Sequence, residues 1–407
     1  MKRAFLAGLA ALLLVPATAG AEEAPAKPYR WFVFPIAAFD TDDGLGFGGR
    51  VEVQRIAEGY DPYRASVVIQ AYLSLRGYHH HRFRLDLPGL GPRRNLRFSA
   101  RVAFRQWHND GYWGMGNGTA IEATTLGDLD DDDPSAKRYR YNLLQPYVFA
   151  MLRGDAPRML NAFGTLTLQY TRVSTYEGSL LAEQQPEGMQ GGFSLQLSAG
   201  LVVDTRQPEL APDRGVLAEL SVRVSPHFPG GTGPFYGPFA SLRHFVPLVP
   251  DGRFVLAYRV MAEWLFGDVP FYEMTRWGGS VPILGFGGWE TLRGIPFGRY
   301  RAPGRAIANV EWRIDILRHS FFKSQLRWQL VPFVDLGAVW GAGDDATAEP
   351  PDAPLHPAVG VGIHPVLAGS FMGRMDVAIA PERVVDEDGT VTQEFGWGFY
   401  LAFDQMF

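Results

Sequence analysis

Three adjacent histidines are the most obvious candidates for chemistry in this sequence. His79, His80 and His81 could supply imidazole ligands to a metal ion such as zinc. In an extended chain, however, consecutive side chains point to opposite faces, so adjacent histidines do not easily converge on one ion. We therefore predict a polar loop tip at this position and no metal site.

An acidic run offers a second candidate, a calcium-binding loop. Asp128, Asp130 and Asp132 alternate as they do at the start of such a loop. Asp133 stands where the loop needs glycine, and Tyr139 stands where it needs glutamate. The run therefore predicts a solvated acidic loop with at most loose binding of divalent cations.

Composition and motif content argue against several functional classes. The sequence has no G-x-S-x-G, H-E-x-x-H or P-loop motif, so we predict neither an enzyme nor a cofactor-binding protein. The net charge of −5 argues against a nucleic-acid partner. The absence of cysteine excludes disulfides and thiolate metal sites, and it suits a chain that crosses an oxidising periplasm.

The elements that would position any site show an alternating pattern of polar and apolar residues. From Arg305 to Ile316 the even positions are all apolar, whereas the odd positions include Glu311, Arg313 and Asp315. Side chains alternate faces along a strand, so this segment presents one apolar face and one charged face. A soluble sheet that covers its apolar face with a core would show the same alternation.

Repetition of the pattern decides between the two interpretations. Similar segments recur along almost the whole chain, and we count about sixteen strands long enough to cross a bilayer when tilted. No window is long and apolar enough for a helical span. A charge facing lipid would cost about 2–4 kcal/mol at mid-depth, which explains why charged residues keep to one parity. The predicted fold is all-β, a single transmembrane antiparallel β-barrel.

The lengths of the predicted connections fit this architecture. If the first strand runs outward, the presumed periplasmic turns are compact. The presumed external connections include the long loops 108–137, 175–189, 267–303 and 341–354. Short turns on one side and long loops on the other are typical of outer-membrane barrels.

The first residues predict export from the cytoplasm. Lys2 and Arg3 precede an apolar stretch that ends at Val15, and small residues follow at positions 19–21. This arrangement is typical of a signal peptide, which we predict at residues 1–21. Residues 22–29 would then form a short periplasmic segment and residues 30–407 the barrel domain. Together these features predict a location in the bacterial outer membrane, in contact with its lipid.

The last predicted strand ends the chain with an aromatic residue. Trp397, Phe399 and Phe403 share their parity with the terminal Phe407, and we predict that this face points outward. A terminal aromatic on such a strand resembles the signal by which outer-membrane barrels are recognised for insertion. The resemblance implies that cellular assembly machinery inserts this chain.

A turn motif resembles that of a particular family. Asp204 and Arg206, followed by Pro212 and Gly215, resemble the D-x-R...P-x-x-G turn of the BamA/TamA superfamily, the bacterial surface antigen barrels. The acid and the arginine would brace a strand end, while proline and glycine would shape a periplasmic reversal. The family usually has an acid after the arginine, where this chain has Gln207.

A second motif lies in the longest late loop and consists of Leu292, Arg293, Gly294 and Ile295. It resembles the (V/L)-R-G-(F/Y) loop tip that folds back into the lumen in this superfamily, with isoleucine in place of the usual aromatic. Glu311 and Asp335 match family positions whose acids hold the loop arginine. Both acids have lumen parity on neighbouring strands, and arginine binds carboxylates through parallel hydrogen bonds. We predict an Arg293–Glu311/Asp335 contact and a loop folded into the lumen.

The resemblance also implies a function, the insertion or translocation of proteins at the outer membrane. Members that assemble or secrete proteins carry periplasmic POTRA domains, which receive the client, and residues 22–29 are too few for such a domain. We therefore expect a member lacking POTRA domains, with an unidentified protein client or a POTRA-bearing partner. Two alternatives stay open: a passive, porin-like solute channel and an accessory subunit of an outer-membrane assembly complex.

Glycines near the two ends of the barrel sequence suggest a mechanism. They are Gly44, Gly46, Gly48 and Gly49 near the first strand, and Gly396 and Gly398 in the last. Weak packing there would let the seam between the first and last strands open sideways and offer an edge to a client strand. The alternative is that these glycines make space for the inserted loop.

Overall fold

The computed structural model describes residues 28–60, 62–122, 137–154, 160–209, 211–227, 229–321, 324–341, 355–367, 371–386 and 388–403. Within these ranges sixteen antiparallel strands form one closed sheet. Each strand pairs with its neighbours in sequence, and the first pairs with the last. The predicted barrel of about sixteen strands is confirmed.

The strands are β1 Tyr29–Asp40, β2 Gly44–Arg55, β3 Ala65–Ser74, β4 Tyr78–Leu90, β5 Leu96–Gly111, β6 Arg140–Leu144 continued by Tyr147–Gly154, β7 Asn161–Thr175, β8 Gly192–Asp204, β9 Gly215–Ser225, β10 Phe235–Pro247, β11 Phe254–Trp264 continued by Phe266–Gly267, β12 Gly304–Phe321, β13 Ser324–Trp340, β14 Leu355–Leu367, β15 Phe371–Val385 and β16 Val391–Phe403. A five-residue helix, Leu180–Gln184, lies between β7 and β8. In the described part of the chain no helix is long and apolar enough to cross a membrane.

Three predicted features lie outside the described residues. They are the signal peptide at 1–21 with most of the segment at 22–29, the acidic run Asp128–Asp133, and the terminal Phe407. The first two stay predictions. For the C-terminal aromatic face, the structure describes the backbone as far as Phe403.

Strand β12 shows how the alternating sequence becomes a two-faced wall. Arg305, Glu311 and Arg313 point to the lumen and are 3% exposed or less, whereas the even positions between them face outward. A bulge between Asp315 and Leu317 breaks the alternation, so that Leu317 joins the neighbouring Ile316 on the exposed side. Elsewhere the exposed face is lined by aliphatic side chains, as lipid requires.

Aromatic pairs mark one end of the outer wall. Tyr170 and Phe193 have ring centroids 4.9 Å apart, and Trp264 and Trp340 have centroids 5.7 Å apart. All four lie near the ends of strands that lead to the long connections. A band of aromatic side chains at this level is typical of the membrane–water interface of outer-membrane barrels.

The core of the protein lies inside the barrel. The connection 268–303 supplies buried apolar side chains, among them Trp277, Phe286 and Leu292. They pack on lumen-facing residues such as Met261 and Ile307. The loop thus occupies space that would otherwise hold water, and it buries the charged lumen face of β12.

The predicted loop tip at the three histidines is wrong. They lie within β4, because the reversal from β3 takes only residues 75–77 and Gly77 adopts φ +83° there. His79 and His81 share a face, with ring centroids 6.0 Å apart, and His80 points to the other face. Among the described residues no group of three or more potential ligands could hold a metal ion.

Candidate functional site

An arginine at the tip of the loop 268–303 binds two acids of the lumen wall. Arg293 donates from Nε and Nη2 to the two carboxylate oxygens of Asp335, at 2.9 and 3.0 Å. Its Nη1 donates to Glu311 at 2.9 Å, and its backbone N–H donates to Asp335 at 3.1 Å. All three side chains are at most 1% exposed. The structure therefore brings together the arginine and both acids that the sequence motif singled out.

Two further groups complete the surroundings of this arginine, and sequence reasoning missed them. Asp376 on β15 lies 3.4 Å from Nη1, and the guanidinium carbon lies 3.3 Å from the centre of the Phe333 ring. Asp376 also contacts His364 at 2.7 Å. The alternation of its strand predicts that Asp376 faces the lumen, but it does not predict which charged side chains in the lumen come into contact. Burying a guanidinium requires such complete pairing, because an unpaired charge in this environment is very costly.

The residues beside Arg293 fit the tip to the wall. Leu292 and Ile295 are buried in the apolar core inside the barrel. Gly294 adopts φ +90°, and its N–H donates to the Tyr400 hydroxyl of β16 at 3.0 Å. A Cβ at Gly294 would lie 3.2 Å from Ala378 Cβ, so a larger residue would crowd this contact as well as strain the backbone. The tip therefore reaches the last strand of the barrel.

A second connection, residues 112–122, packs over the same loop. Arg299 donates to Glu382 at 2.7 Å and to the Thr119 hydroxyl at 2.6 Å. Asn117 donates to the Val339 carbonyl at 2.7 Å. The short strand Ile121–Glu122 pairs in parallel with the end of β15. These contacts tie the two connections to each other and to the barrel wall.

The seam between β1 and β16 is the shortest strand pairing in the closed sheet. Among the described residues it consists of two residue pairs, Phe39 with Leu401 and Asp40 with Tyr400. By contrast, β1 pairs with β2 through twelve residue pairs, and β15 pairs with β16 through thirteen. Phe39 and Phe399 add a ring contact at 5.7 Å across the seam. Most of the facing edges of β1 and β16 therefore lack a ladder within the described part of the chain.

The glycines predicted to weaken the seam lie in two different surroundings. Gly46 and Gly48 lie in β2, one strand away from the seam, and face β3 residues so closely that a Cβ would clash. Gly396 in β16 lies beside the loop tip, since a Cβ there would be 3.8 Å from the Gly294 carbonyl oxygen. The geometry around Gly396 fits the alternative that glycine makes space for the inserted loop.

The outward face of β16 carries two of the predicted insertion-signal aromatics. Trp397 is 64% exposed, and Phe399 is half-buried against Phe39. Phe403 is the last residue of the described strand. The use of this face as an insertion signal stays a prediction.

The D-x-R motif lies at the turn between β8 and β9. Arg206 donates from Nε and Nη2 to the two oxygens of Asp204, at 2.9 and 2.8 Å, so the side chains form a planar pair at the strand end. Pro212 is buried within the turn. Gly215 opens β9 with φ +102°, and a Cβ there would lie 2.3 Å from the Thr205 carbonyl oxygen.

Substituting Gly215 by alanine is expected to impair folding of the barrel. The added methyl would clash with backbone atoms, and the alanine would also have to adopt an unfavourable φ. Together these two effects cost more than the ~1–3 kcal/mol of an ordinary strained residue. Heat-modifiable migration on a denaturing gel measures the folded fraction. Gly252→Ala is the matched control, because Gly252 also has positive φ in a short turn but has no atom within 4 Å of the added Cβ. Equal folded fractions for the two variants would refute the steric role of Gly215.

The turn between β1 and β2 also contacts the loop. Asp42 accepts a hydrogen bond from the Phe297 N–H at 3.1 Å. Burial, together with the nearby Asp40 charge, raises the pKa of Asp42 to about 7, although the Phe297 N–H opposes both effects. Together with the Gly294–Tyr400 bond, this contact places the loop against both sides of the seam.

The raised pKa of Asp42 predicts a pH dependence of stability. Because the folded-state pKa lies above the ordinary value of 3.8, the fold favours the protonated form of Asp42 and is stabilised by it at low pH. This contribution is lost as the pH rises through about 7. We expect Asp42→Asn, which keeps the acceptor for Phe297, to unfold a few degrees higher than wild type at about pH 8 and nearly equally at about pH 4. Thermal unfolding across this range measures the effect, with Asp251→Asn in an exposed turn as the control. A variant curve parallel to wild type would contradict the prediction.

A closed barrel with a lipid-facing apolar wall and a lumen filled by its own loop is an outer-membrane transmembrane protein. Residues 96–401 match the Omp85 superfamily domain, and the chain belongs to this family. The resemblance to BamA/TamA-type barrels is therefore confirmed, and so is the outer-membrane location.

Two solved structures resemble the whole barrel. One is BamA from Haemophilus ducreyi lacking POTRA domains 1–3, at 13% identity over 92% of this chain and 70% of that chain, with a TM-score of 0.54. The other is CdiB from Escherichia coli, at 10% identity over 93% of this chain and 63% of that chain, with a TM-score of 0.56. No curated protein matches the sequence. At these identities the similarity concerns the fold alone.

Proposed function

We propose that this protein inserts or translocates proteins at the outer membrane, using the β1–β16 seam as the place where a client strand pairs. The observation that supports this proposal is the short seam, which among the described residues has two residue pairs where neighbouring strands have twelve or thirteen. A strand edge without a partner is a template for another strand, because its backbone N–H and C=O groups need hydrogen bonds. A client strand would supply them by β-augmentation.

The position of the loop supports a gating role. Its tip donates to Tyr400 on the β16 side, and Phe297 donates to Asp42 on the β1 side. A loop anchored by Arg293 would therefore hold both sides of the seam together. Displacement of the loop would remove both contacts at once, which couples lumen opening to seam opening.

Family membership supports the same proposal without identifying a client. We propose that the barrel receives its client directly or through a POTRA-bearing partner. In this role the protein is not an enzyme. Its work is supplied by strand pairing and by transfer of apolar surface into lipid.

Deleting the gene for this protein in its native cell, and then quantifying the outer-membrane and surface proteins, tests this function. We expect a defined subset of surface proteins to fall and to recover on complementation with the wild-type chain. An unchanged protein census with altered uptake of small solutes would instead indicate a passive channel. Recovery only in the presence of a co-purifying POTRA-bearing homologue would indicate an accessory subunit.

A further inference from the structure

One wall of the lumen carries arginines that form no ion pair with any described residue. Arg84 on β4 lies directly opposite Arg101 on β5, and Arg105 follows on the same face of β5. We call these three residues the cationic wall. Like charges directly opposite each other destabilise a pair of strands, so the arrangement is unfavourable unless something compensates for it.

Two acids close to the cationic wall, Asp86 and Glu52, are already engaged. Asp86 is bound by Arg97 at 2.7 Å, and Glu52 is bound by Arg50 at 2.9 Å. Among the described residues no carboxylate forms an ion pair with a member of the wall. The buried Nε atoms of all three arginines also lack a hydrogen-bond acceptor within the described ranges.

Neighbouring side chains hold the wall in place instead of neutralising it. The Tyr147 hydroxyl on β6 is hydrogen-bonded to Arg101, and its ring centre lies 4.8 Å from the Arg105 guanidinium. Arg105 is 3% exposed, whereas Arg84 and Arg101 are half-buried and face the lumen. All three guanidinium groups are therefore positioned, while part of the surface of Arg84 and Arg101 stays open to a ligand.

Aromatic side chains cover one side of the wall. On its external side Tyr78 stacks on Trp107 at 4.7 Å, and Trp107 stacks on the loop residue Phe297 at 6.1 Å. This aromatic stack separates the wall from the external mouth. A ligand would reach it from the periplasmic end of the lumen.

We propose that the cationic wall is a binding site for a phosphate-bearing anion that enters from the periplasm. Guanidinium groups bind phosphate oxygens through paired, charge-assisted hydrogen bonds, and several guanidiniums together match a group of two or more negative charges. Such a ligand would supply acceptors for Arg84 and Arg101 and remove the cost of their opposition. The inference does not rest on the proposed insertion function.

Calorimetric titration of the purified, detergent-folded full chain with pyrophosphate at low salt tests the site. We expect saturable binding that weakens at least tenfold in Arg84→Gln/Arg101→Gln. Arg253→Gln is the matched control, because Arg253 lies 63% exposed in the turn before β11, and it should bind like wild type. Absence of saturable wild-type binding to pyrophosphate and to short-chain phosphatidic acid, or equal pyrophosphate binding by the double variant, would overturn the proposal.

Two additions keep the test decisive. The first is chemical modification of arginines in the wild-type protein, with pyrophosphate present or absent, which needs no variant. We expect pyrophosphate to protect Arg84 and Arg101 but not Arg253. Equal protection of all three arginines would overturn the site. A parallel titration with short-chain phosphatidic acid distinguishes the source of the phosphate. Binding of this lipid in preference to pyrophosphate assigns the site to a lipid headgroup, and the reverse assigns it to a soluble phosphate compound.

Discussion

Reversing the charge of Glu311 (Glu311→Arg) is expected to expel the loop 268–303 from the lumen. In the folded barrel Glu311 binds Arg293 at 2.9 Å and Arg313 at 2.8 Å, and all three are buried. In the variant three guanidinium groups would lie together, and the site would have one acid fewer than in the wild type to pair with them. Removing one partner of a buried ion pair costs about 3–5 kcal/mol, and adding a like charge costs more.

Ion conductance in planar bilayers measures the expulsion. The wild-type barrel should pass little steady current because its loop fills the lumen, whereas Glu311→Arg should show large, persistent openings. Glu177→Arg makes the same charge change in the exposed connection after β7 and should behave like wild type. Proteolysis of the loop in the folded barrel gives a second measurement, since an expelled loop becomes accessible.

A graded variant separates charge from geometry at the same site. Arg293→Lys keeps the positive charge but cannot form the two parallel bonds to Asp335, so we expect an intermediate rise in conductance. A Glu311→Arg barrel with wild-type conductance and a protected loop would show that the contacts of Arg293 with Glu311 and Asp335 do not hold the loop.

Locking the seam with a disulfide is expected to abolish client insertion. The natural sequence has no cysteine, so Phe39→Cys/Leu401→Cys introduces a single pair at facing positions of β1 and β16. A covalent link there prevents the two strands from separating, and a client strand then has no edge to pair with. The loss should be complete under oxidising conditions and reversed by a reductant.

Complementation of the deletion strain, with and without reductant, measures this effect on the surface proteins that depend on the barrel. Val33→Cys/Val51→Cys is the matched control, because these residues face each other within the twelve-pair ladder of β1 and β2. It should crosslink and still complement. Full complementation by the crosslinked Phe39/Leu401 variant would rule out sideways opening of the seam.

Much of the fold was predictable because lipid imposes a simple rule on every strand. The parity of Glu311 and Arg313 could be assigned locally, since a charge facing hydrocarbon is expensive at each position independently of its neighbours. For the histidines at 79–81 the prediction made from polarity was wrong. Polarity there suggested a loop, whereas the three-residue reversal at Gly77 begins the strand before them.

The candidate site was predictable in part. Arg293, Glu311 and Asp335 could be singled out through a family motif, because they stand at characteristic places in the strand order. Asp376 and Tyr400 could not be assigned to the same site, although both have lumen parity. Their proximity to Arg293 depends on how far the loop descends and on which strands close the barrel.

The sequence by itself determined the two-faced strands, their number and the identity of the loop arginine, because alternation and charge act over a few residues. Only the tertiary structure decided the short β1–β16 pairing, the contacts of the loop with both sides of the seam, and the opposition of Arg84 and Arg101. These features depend on the register with which sixteen strands close on themselves. Register is a property of the whole sheet, and no single segment encodes it.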